Sequence, residues 1–435
     1  MATTIPAFPQ ELIDMVVDAI GHDDQNLNPS QVQDRTRLLT SFALASRSLR
    51  EQAHNHLFRS VNIINDPEES RARSFCALLG ENPRLVSRIT SFTVLFVKVG
   101  SDSGPLSFIF RTIFRDGINQ APCSLSIKFY TVGRFNRTFG ILEVERALFK
   151  LCHKPRLISL TIQNHPYFPT NFLKHTCIKH LSLYGTHIGA PLPEEIFSST
   201  KDRGDVVYLE SLVYRRSAAP ILQFLDHTAN RSTPPTVVFS RLKRLDFSVI
   251  YGAEEIMEGK GDITIMAKKS LEELVVDLSR ENRDVKPVPL HELPVLRKLS
   301  LRVCSSKNNF SSVAMSLAMQ QCRPALRDIT LRFPLLVDSD QGSNCKELLR
   351  AKLQKLHCDL TDVLLSSPDF DELGSLTFHM AIRSKLYKRD EETDYVSIIR
   401  EHFPSIATKG GLDFVVTVHS LGTTEWTRWR GANPY

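Results

Sequence analysis

His175, Cys177 and His180 stand within one short stretch of the chain, and imidazole and thiolate are good zinc ligands. No second group of ligands lies nearby in sequence, so the stretch reads as ordinary packing and surface, with no metal expected. His54 and His56 are two positions apart and cannot share a helical face. The Asp23-Asp24 pair sits in a polar loop and reads as solvation. Trp426 and Trp429 read as a terminal core anchor rather than a ligand box. The sequence has no G-x-S-x-G, no G-x-x-x-x-G-K-[ST], no G-x-G-x-x-G and no H-E-x-x-H. It therefore names no catalytic residue and no cofactor, and the expectation is a protein that is not an enzyme.

Eight cysteines are scattered through the 435 residues, and no two form a C-x-x-C pair. Neither a disulfide scaffold nor a zinc module spreads them so thinly, so they read as reduced thiols inside the cell, in cytoplasm or nucleus. The first residues, Met1-Ala2-Thr3-Thr4-Ile5-Pro6, lack the basic and apolar segments of a secretory signal. No apolar run reaches the ~18 residues of a membrane span. Charge is uneven. Residues 1–70 hold five Arg and no Lys against ten acidic residues, a net of −5, which leaves +11 for the rest of a chain whose total is +6. The basic excess is spread as dipeptides such as Arg215-Arg216, Lys243-Arg244 and Arg297-Lys298, not gathered into the single face that nucleic acid needs.

The elements that must position any site emerge from repetition. A pattern of apolar, two mostly polar, apolar, variable, apolar recurs nine times. It begins at Leu157, Ile178, Leu209, Leu242, Leu271, Leu296, Leu326, Leu353 and Leu373, and successive copies are 20 to 33 residues apart. Its second half alternates as a short strand with one buried face does. Segments of helical character fall between copies, at Pro193–Thr200, Ala218–Ala229, Phe310–Gln321 and Lys346–Lys355. Stacking such units would build a parallel sheet over a continuous core. A weaker copy spans Val86–Val94.

The nine copies resemble leucine-rich repeats, although the Asn or Cys that comes next in the standard motif is mostly missing. The resemblance implies a degenerate solenoid. Its inner face would carry the residues flanking and between the buried strand positions, from Ser159/Thr161/Gln163 and His180/Ser182/Tyr184 through Arg244/Asp246/Ser248 to Ser375/Thr377/His379. Candidate substrate contacts on that face are His180, Tyr184, Arg244, Lys298, Arg302, Arg332 and Lys355. Mixed charge there suits a protein surface and argues against a nucleic-acid groove.

The first sixty residues differ. Ile5–Ile20 reads as a helix with a Pro start signal, and its apolar positions 12, 13, 16, 17 and 20 form one stripe. Two more helices come after it, through Arg37–Arg50 and Glu51–Phe58, and Val61-Asn62-Ile63 reads as a strand. Phe8-Pro9-x-Glu11-Leu12-Ile13-x-x-Val16, the later Leu39-x-x-x-x-Leu44-Ala45-Ser46-Arg47-Ser48-Leu49 and His56-Leu57-Phe58 resemble the F-box, in particular that of F-box proteins from basidiomycete-type fungi. Phe8, Ala45 and Leu49 stand where the family usually has Leu, Val and Trp. The resemblance implies a three-helix module that docks into a hydrophobic groove of a Skp-type adaptor, and through it a cullin–RING ubiquitin ligase. Pro9, Leu12, Ile13, Val16, Ile20, Leu39 and Leu44 would make that contact.

The fold expected is thus α/β: a three-helix F-box module over 5–60, an irregular linker with early degenerate repeats over 61–155, and a leucine-rich-repeat solenoid over 156–380. A C-terminal cap over 381–421 and a tail over 422–435 complete it. The function expected is substrate recognition for an SCF-type ligase, with no nucleic acid and no membrane partner. The alternative is a non-catalytic repeat scaffold with a decayed F-box.

Overall fold

The computed structural model describes residues 9–21, 29–65, 69–96, 104–115, 121–129, 143–165, 168–169, 172–186, 188–189, 207–215, 237–248, 263–278, 290–303, 325–336, 345–355, 358–383 and 391–420. The helical segments expected at Pro193–Thr200, Ala218–Ala229 and Phe310–Gln321, the Trp426/Trp429 pair and the tail lie outside them. The chain divides into two compact units, one of residues 1–164 with 176–178, the other of 165–175 with 179–435.

The first unit opens with helices α1 (Gln10–Gly21), α2 (Pro29–Ala45) and α3 (Arg47–Leu57). Val17, Leu39, Ala43 and Ala53 form their core, with Ile20, Phe42, Leu49 and Leu57 packed around it. Two side chains make the sharp break between α2 and α3. Ser46, in extended backbone, accepts a hydrogen bond on Oγ from the Ser48 N–H at 3.1 Å and so caps α3. Arg50 Nε donates to the Ala43 carbonyl at 2.9 Å, one of the acceptors the end of α2 leaves free. Helix α1 meets α3 closely: a Cβ on Gly21 would lie 2.2 Å from the His56 ring. Asp18 holds that ring, with Oδ1 2.7 Å from His56 Nε2.

Four parallel strands come next, in the order of the chain: β1 (Ser60–Asn65), β2 (Ser91–Phe96), β3 (Cys123–Phe129) and β4 (Leu157–Gln163). Helices α4 (Ser70–Glu81), α5 (Gly104–Ile113) and α6 (Glu143–Cys152) fall between them. The described strands and helices of residues 61–155, the segment expected to hold an irregular linker with early degenerate repeats, alternate along a parallel sheet. Burial alternates strictly along β2 and β3, so one face is core and the other carries Ser91, Thr93 and Leu95 on β2 and Ser124, Ser126 and Lys128 on β3. The buried Arg156 ties the unit together. Its guanidinium donates to the carbonyls of Ala121, Ile113, Val86 and Ile89 at 2.5 to 3.1 Å.

The second unit contains two short parallel pairs, β5 (Phe168–Pro169) with β7 (Ile188–Gly189) and β8 (Val207–Tyr208) with β10 (Val237–Val238). Its main sheet runs β6 (His180–Tyr184), β9 (Ser211–Arg215), β11 (Arg244–Ser248), β12 (Glu273–Leu278), β13 (Lys298–Val303), β14 (Asp328–Leu336), β15 (Ser375–Arg383) and β16 (Asp413–Ser420). All pairings are parallel and keep chain order, so the sheet grows by one strand per repeat. Each step from β6 to β15 is made the same way. The carbonyl just before one strand accepts two N–H groups from the start of the next: Lys179 from Glu210 and Ser211, Glu210 from Lys243 and Arg244, Lys243 from Glu272 and Glu273. Glu272, Arg297 and Arg327 repeat it.

The apolar positions stack into columns. Leu212, Leu245, Leu274, Leu299, Ile329 and Leu376 are successive register partners, all buried. Tyr214, Phe247, Val276, Leu301, Leu331 and Phe378 form a second column two residues on. Eight of the nine sequence copies fall on strands in this way. The copy at Leu353 does not: Cys345–Lys355 is helix α8 and Cys358–Ser366 is helix α9, after the one-turn α7 (Ile263–Met266). The Leu353 copy fails because Leu349 and Leu353 are four apart and buried together, so helical spacing wins over alternation there.

The last three strands are longer, eight or nine residues against five or six. Pro334 in β14 is the register partner of Ala381 in β15. Helices α10 (Glu392–Glu401) and α11 (Pro404–Thr408) precede the last strand. The buried Asp362 carboxylate caps α11, accepting from the N–H groups of Ser405 at 3.0 Å and Ile406 at 2.8 Å. An aromatic series, Phe333–Phe378–Phe403–Phe414, fills the core at this end with ring centroids 4.7 to 5.8 Å apart.

Candidate functional site

Two surfaces hold the residues singled out in the sequence, one in each unit. On the helical bundle, the stripe 12, 13, 16, 17 and 20 of α1 is split by the fold. Val17 is fully buried, and Ile13 and Ile20 are half-buried. Leu12, Met15 and Val16 turn the other way and are 43%, 65% and 51% exposed. Their spacing of three and four puts all three on one helical face. Pro9 is exposed, and its carbonyl accepts the N–H of Leu12 at 3.1 Å to begin the helix. On α2, Leu44 is 77% exposed, with Val32 and Leu38 also exposed. Leu39 is in the bundle core rather than on that surface. Met15 carries the same helical signal as Leu12, and a stripe drawn through the inner residues misses it.

The second surface is the polar face of the eight-stranded sheet. Alternation leaves three rows across it. The first runs Ser211, Arg244, Glu273, Lys298, Asp328 and Ser375 as direct register partners. Its charges alternate in sign, with Arg244 3.6 Å from Glu273 and Lys298 3.6 Å from Asp328. Opposite charges directly across a sheet are the favourable arrangement. The middle row is small or polar: Val213, Asp246, Val275, Ser300, Thr330 and Thr377. The third runs Ser248, Asp277, Arg302, Arg332, His379 and Thr417.

Between these rows lies a groove of about 440 Å³, lined by Arg215, Arg244, Asp246, Glu273, Lys298, Arg302, Asp328 and Arg332 together with Ser300, Thr330, Ser375 and Thr377. Arg215 reaches Asp246 with two parallel bonds, Nε to Oδ1 at 2.7 Å and Nη2 to Oδ2 at 2.5 Å. Burial alone would lower the Arg215 pKa, but the hydrogen bonds and charge of Asp246 outweigh it and hold the guanidinium above its ordinary value. Arg302 stands 3.9 Å from Asp277. Burial pulls its pKa down to about 10, with repulsion from Arg215 and Arg332 adding and Asp277 opposing. Arg332 is lowered by burial first and by Arg215 next.

Of the seven candidate contacts, Arg244, Lys298, Arg302 and Arg332 line the groove. His180 and Tyr184 lie outward on β6 at the first and third rows, with Tyr184 the direct partner of Arg215. Burial raises the Tyr184 pKa, and the nearby Arg215 opposes it. Lys355 ends helix α8 and belongs to neither row, because its repeat copy folds as helix. Arg215 is the groove residue that sequence reasoning misses. It stands in a basic dipeptide that reads as surface, yet it comes three positions after Leu212 as Arg302 does after Leu299.

His175 is buried with a left-handed φ of 62°, Cys177 is half-buried and His180 lies on β6. Among the described residues no group of three or more His, Cys, Asp or Glu could hold a metal ion, and no helix is long and apolar enough to cross a membrane. Comparison of the sequence with protein-family models and with curated proteins finds no match.

Proposed function

We propose that the chain is a substrate-recognition subunit of an SCF-type cullin–RING ubiquitin ligase. In this reading α1–α3 are an F-box that docks onto a Skp-type adaptor, and the repeats are a leucine-rich solenoid that holds a protein substrate in its groove. The observation that carries it is the face of Leu12, Met15 and Val16, with Leu44, left open on a bundle that already has its own core. An apolar face of this kind suits a hydrophobic groove on another protein. The groove in the second unit offers both charge signs, which favours a protein ligand over nucleic acid. Ubiquitin transfer would be the work of other subunits.

The test is co-purification with a Skp-type adaptor, then the same with Leu12→Asp and Val16→Asp. Both side chains are exposed, so the bundle keeps its core and only the contact is lost. Stable binding abolished by these changes supports the reading, and no binding by the parent chain sinks it. One observation favours the second reading, a repeat scaffold with a decayed F-box. Leu39 is in the bundle core, and Ile13 and Ile20 are half-buried, which removes part of the expected contact. A chain that binds protein ligands through the groove but no adaptor would be that scaffold.

A further inference from the structure

The groove contains positive charge that the described residues do not answer. Arg302 and Arg332 are direct register partners on β13 and β14, so two like charges stand side by side. Such pairs destabilise a sheet. The Nε and Nη1 of Arg302 and the Nε of Arg332 are buried without a hydrogen-bond partner among the described residues. Other buried arginines are treated differently: Arg156 spends its donors on four carbonyls, and Arg215 on Asp246. At the rim, Arg244 and Lys298 are each matched by an acid. At the base, Arg215, Arg302 and Arg332 face Asp246 and Asp277, an excess of one positive charge.

We infer that Arg302 and Arg332 form an oxyanion site whose ligand is a phosphate group. Charged donors without partners are costly inside a protein, and a bound oxyanion removes the cost and the repulsion together. Two guanidinium groups arrive from neighbouring strands, with the hydroxyls of Ser300 and Thr330 in the row beside them. Donors from several directions suit a tetrahedral group with three free oxygens better than a planar carboxylate with two. The oxyanion site does not depend on the helical bundle, so its failure and that of the ligase reading are separate results.

The test is calorimetric titration of the full chain with inorganic phosphate, N-acetyl-phosphoserine amide and N-acetyl-glutamate amide. Both phosphates are expected to bind, and the glutamate probe to bind at least about tenfold more weakly. R302Q and R332Q should each weaken phosphate binding by about tenfold or more. R297Q, at an exposed arginine outside the groove, should change nothing. R332K keeps the charge without the planar fork and should also lose about tenfold, which separates a lost ligand from a lost fold. Tighter binding of phosphoserine than of phosphate assigns the ligand to a phosphorylated residue, and equal binding assigns it to a free phosphate. The inference is overturned if neither phosphate binds, if glutamate binds as well as phosphoserine, or if the arginine variants bind like the parent.

Discussion

Asp246→Ala tests how the groove is held together. The carboxylate is 4% exposed and makes two short bonds to a guanidinium that is 13% exposed. Removing one partner of a buried pair costs about 3–5 kcal/mol, since the other charge stays buried and unanswered. Arg215 retains some contact with water and can turn towards it, which places the cost at the lower end, about 3 kcal/mol. The loss is larger than for an isolated pair in one respect: the base of the groove goes from one excess positive charge to two, beside Arg302 and Arg332. Two compact units make a single unfolding curve a poor measure, so the assay is native-state hydrogen exchange on strand peptides. Amides of β9, β11 and β12 should exchange on the order of 10²-fold faster, the factor that about 3 kcal/mol implies. The double variant Arg215→Met/Asp246→Val replaces the pair by apolar side chains and should recover most of that protection. A single variant within about 0.5 kcal/mol of the parent, or a double variant no better than the single, would refute the reasoning. Asp246→Ala should also bind phosphate more tightly, because it removes an acid beside the site.

Three other perturbations report on the first unit. Gly21→Ala drives a Cβ into the His56 ring and should cost about 1–3 kcal/mol, read as a lower helix-melting temperature; an unchanged melt would mean α1 and α3 are not so close. Arg156→Met takes the side-chain donors from four carbonyls and should cost about 3 kcal/mol, with Arg156→Lys restoring only part, measured by protection of the β2 and β3 amides. His56 and Gln52 lower the Asp18 pKa below its ordinary 3.8, so the stabilisation is complete above that value and is lost as pH falls through the folded one. Asp18→Asn should therefore melt earlier than the parent at about pH 6, with the two curves drawing together as pH falls below 3.8; a constant gap would contradict the linkage.

The repeat is legible because alternation is a local property: Leu274, Val276 and their partners are apolar at every second position whatever their neighbours do. The rows on the outer face come from the same count, and it places Arg302 and Arg332. The pairing of Arg215 with Asp246 is not legible. It joins residues 31 positions apart, and nothing in either segment marks the other. Repeat counting misplaces Lys355 because Leu353 belongs to two patterns at once, the repeat copy that begins there and a helical pair with Leu349, and Leu349 and Leu353 are buried together on a helix. The bundle shows the converse limit. The apolar face of α1 is wider than its core requires, and sequence alone does not say which side of it faces in.

The step from strand to strand has a consequence for how such a chain can change. From β6 to β15 one backbone carbonyl receives two backbone N–H groups at each join, so the joint owes nothing to side-chain identity. The columns beneath the sheet and the rows above it are written by alternate residues. Mutation can rewrite an outer row, one position per repeat, and leave both the joints and the columns untouched. Specificity and foldability are then inherited through different letters of the same short word, and a lineage could trade one ligand for another without passing through an unstable ancestor.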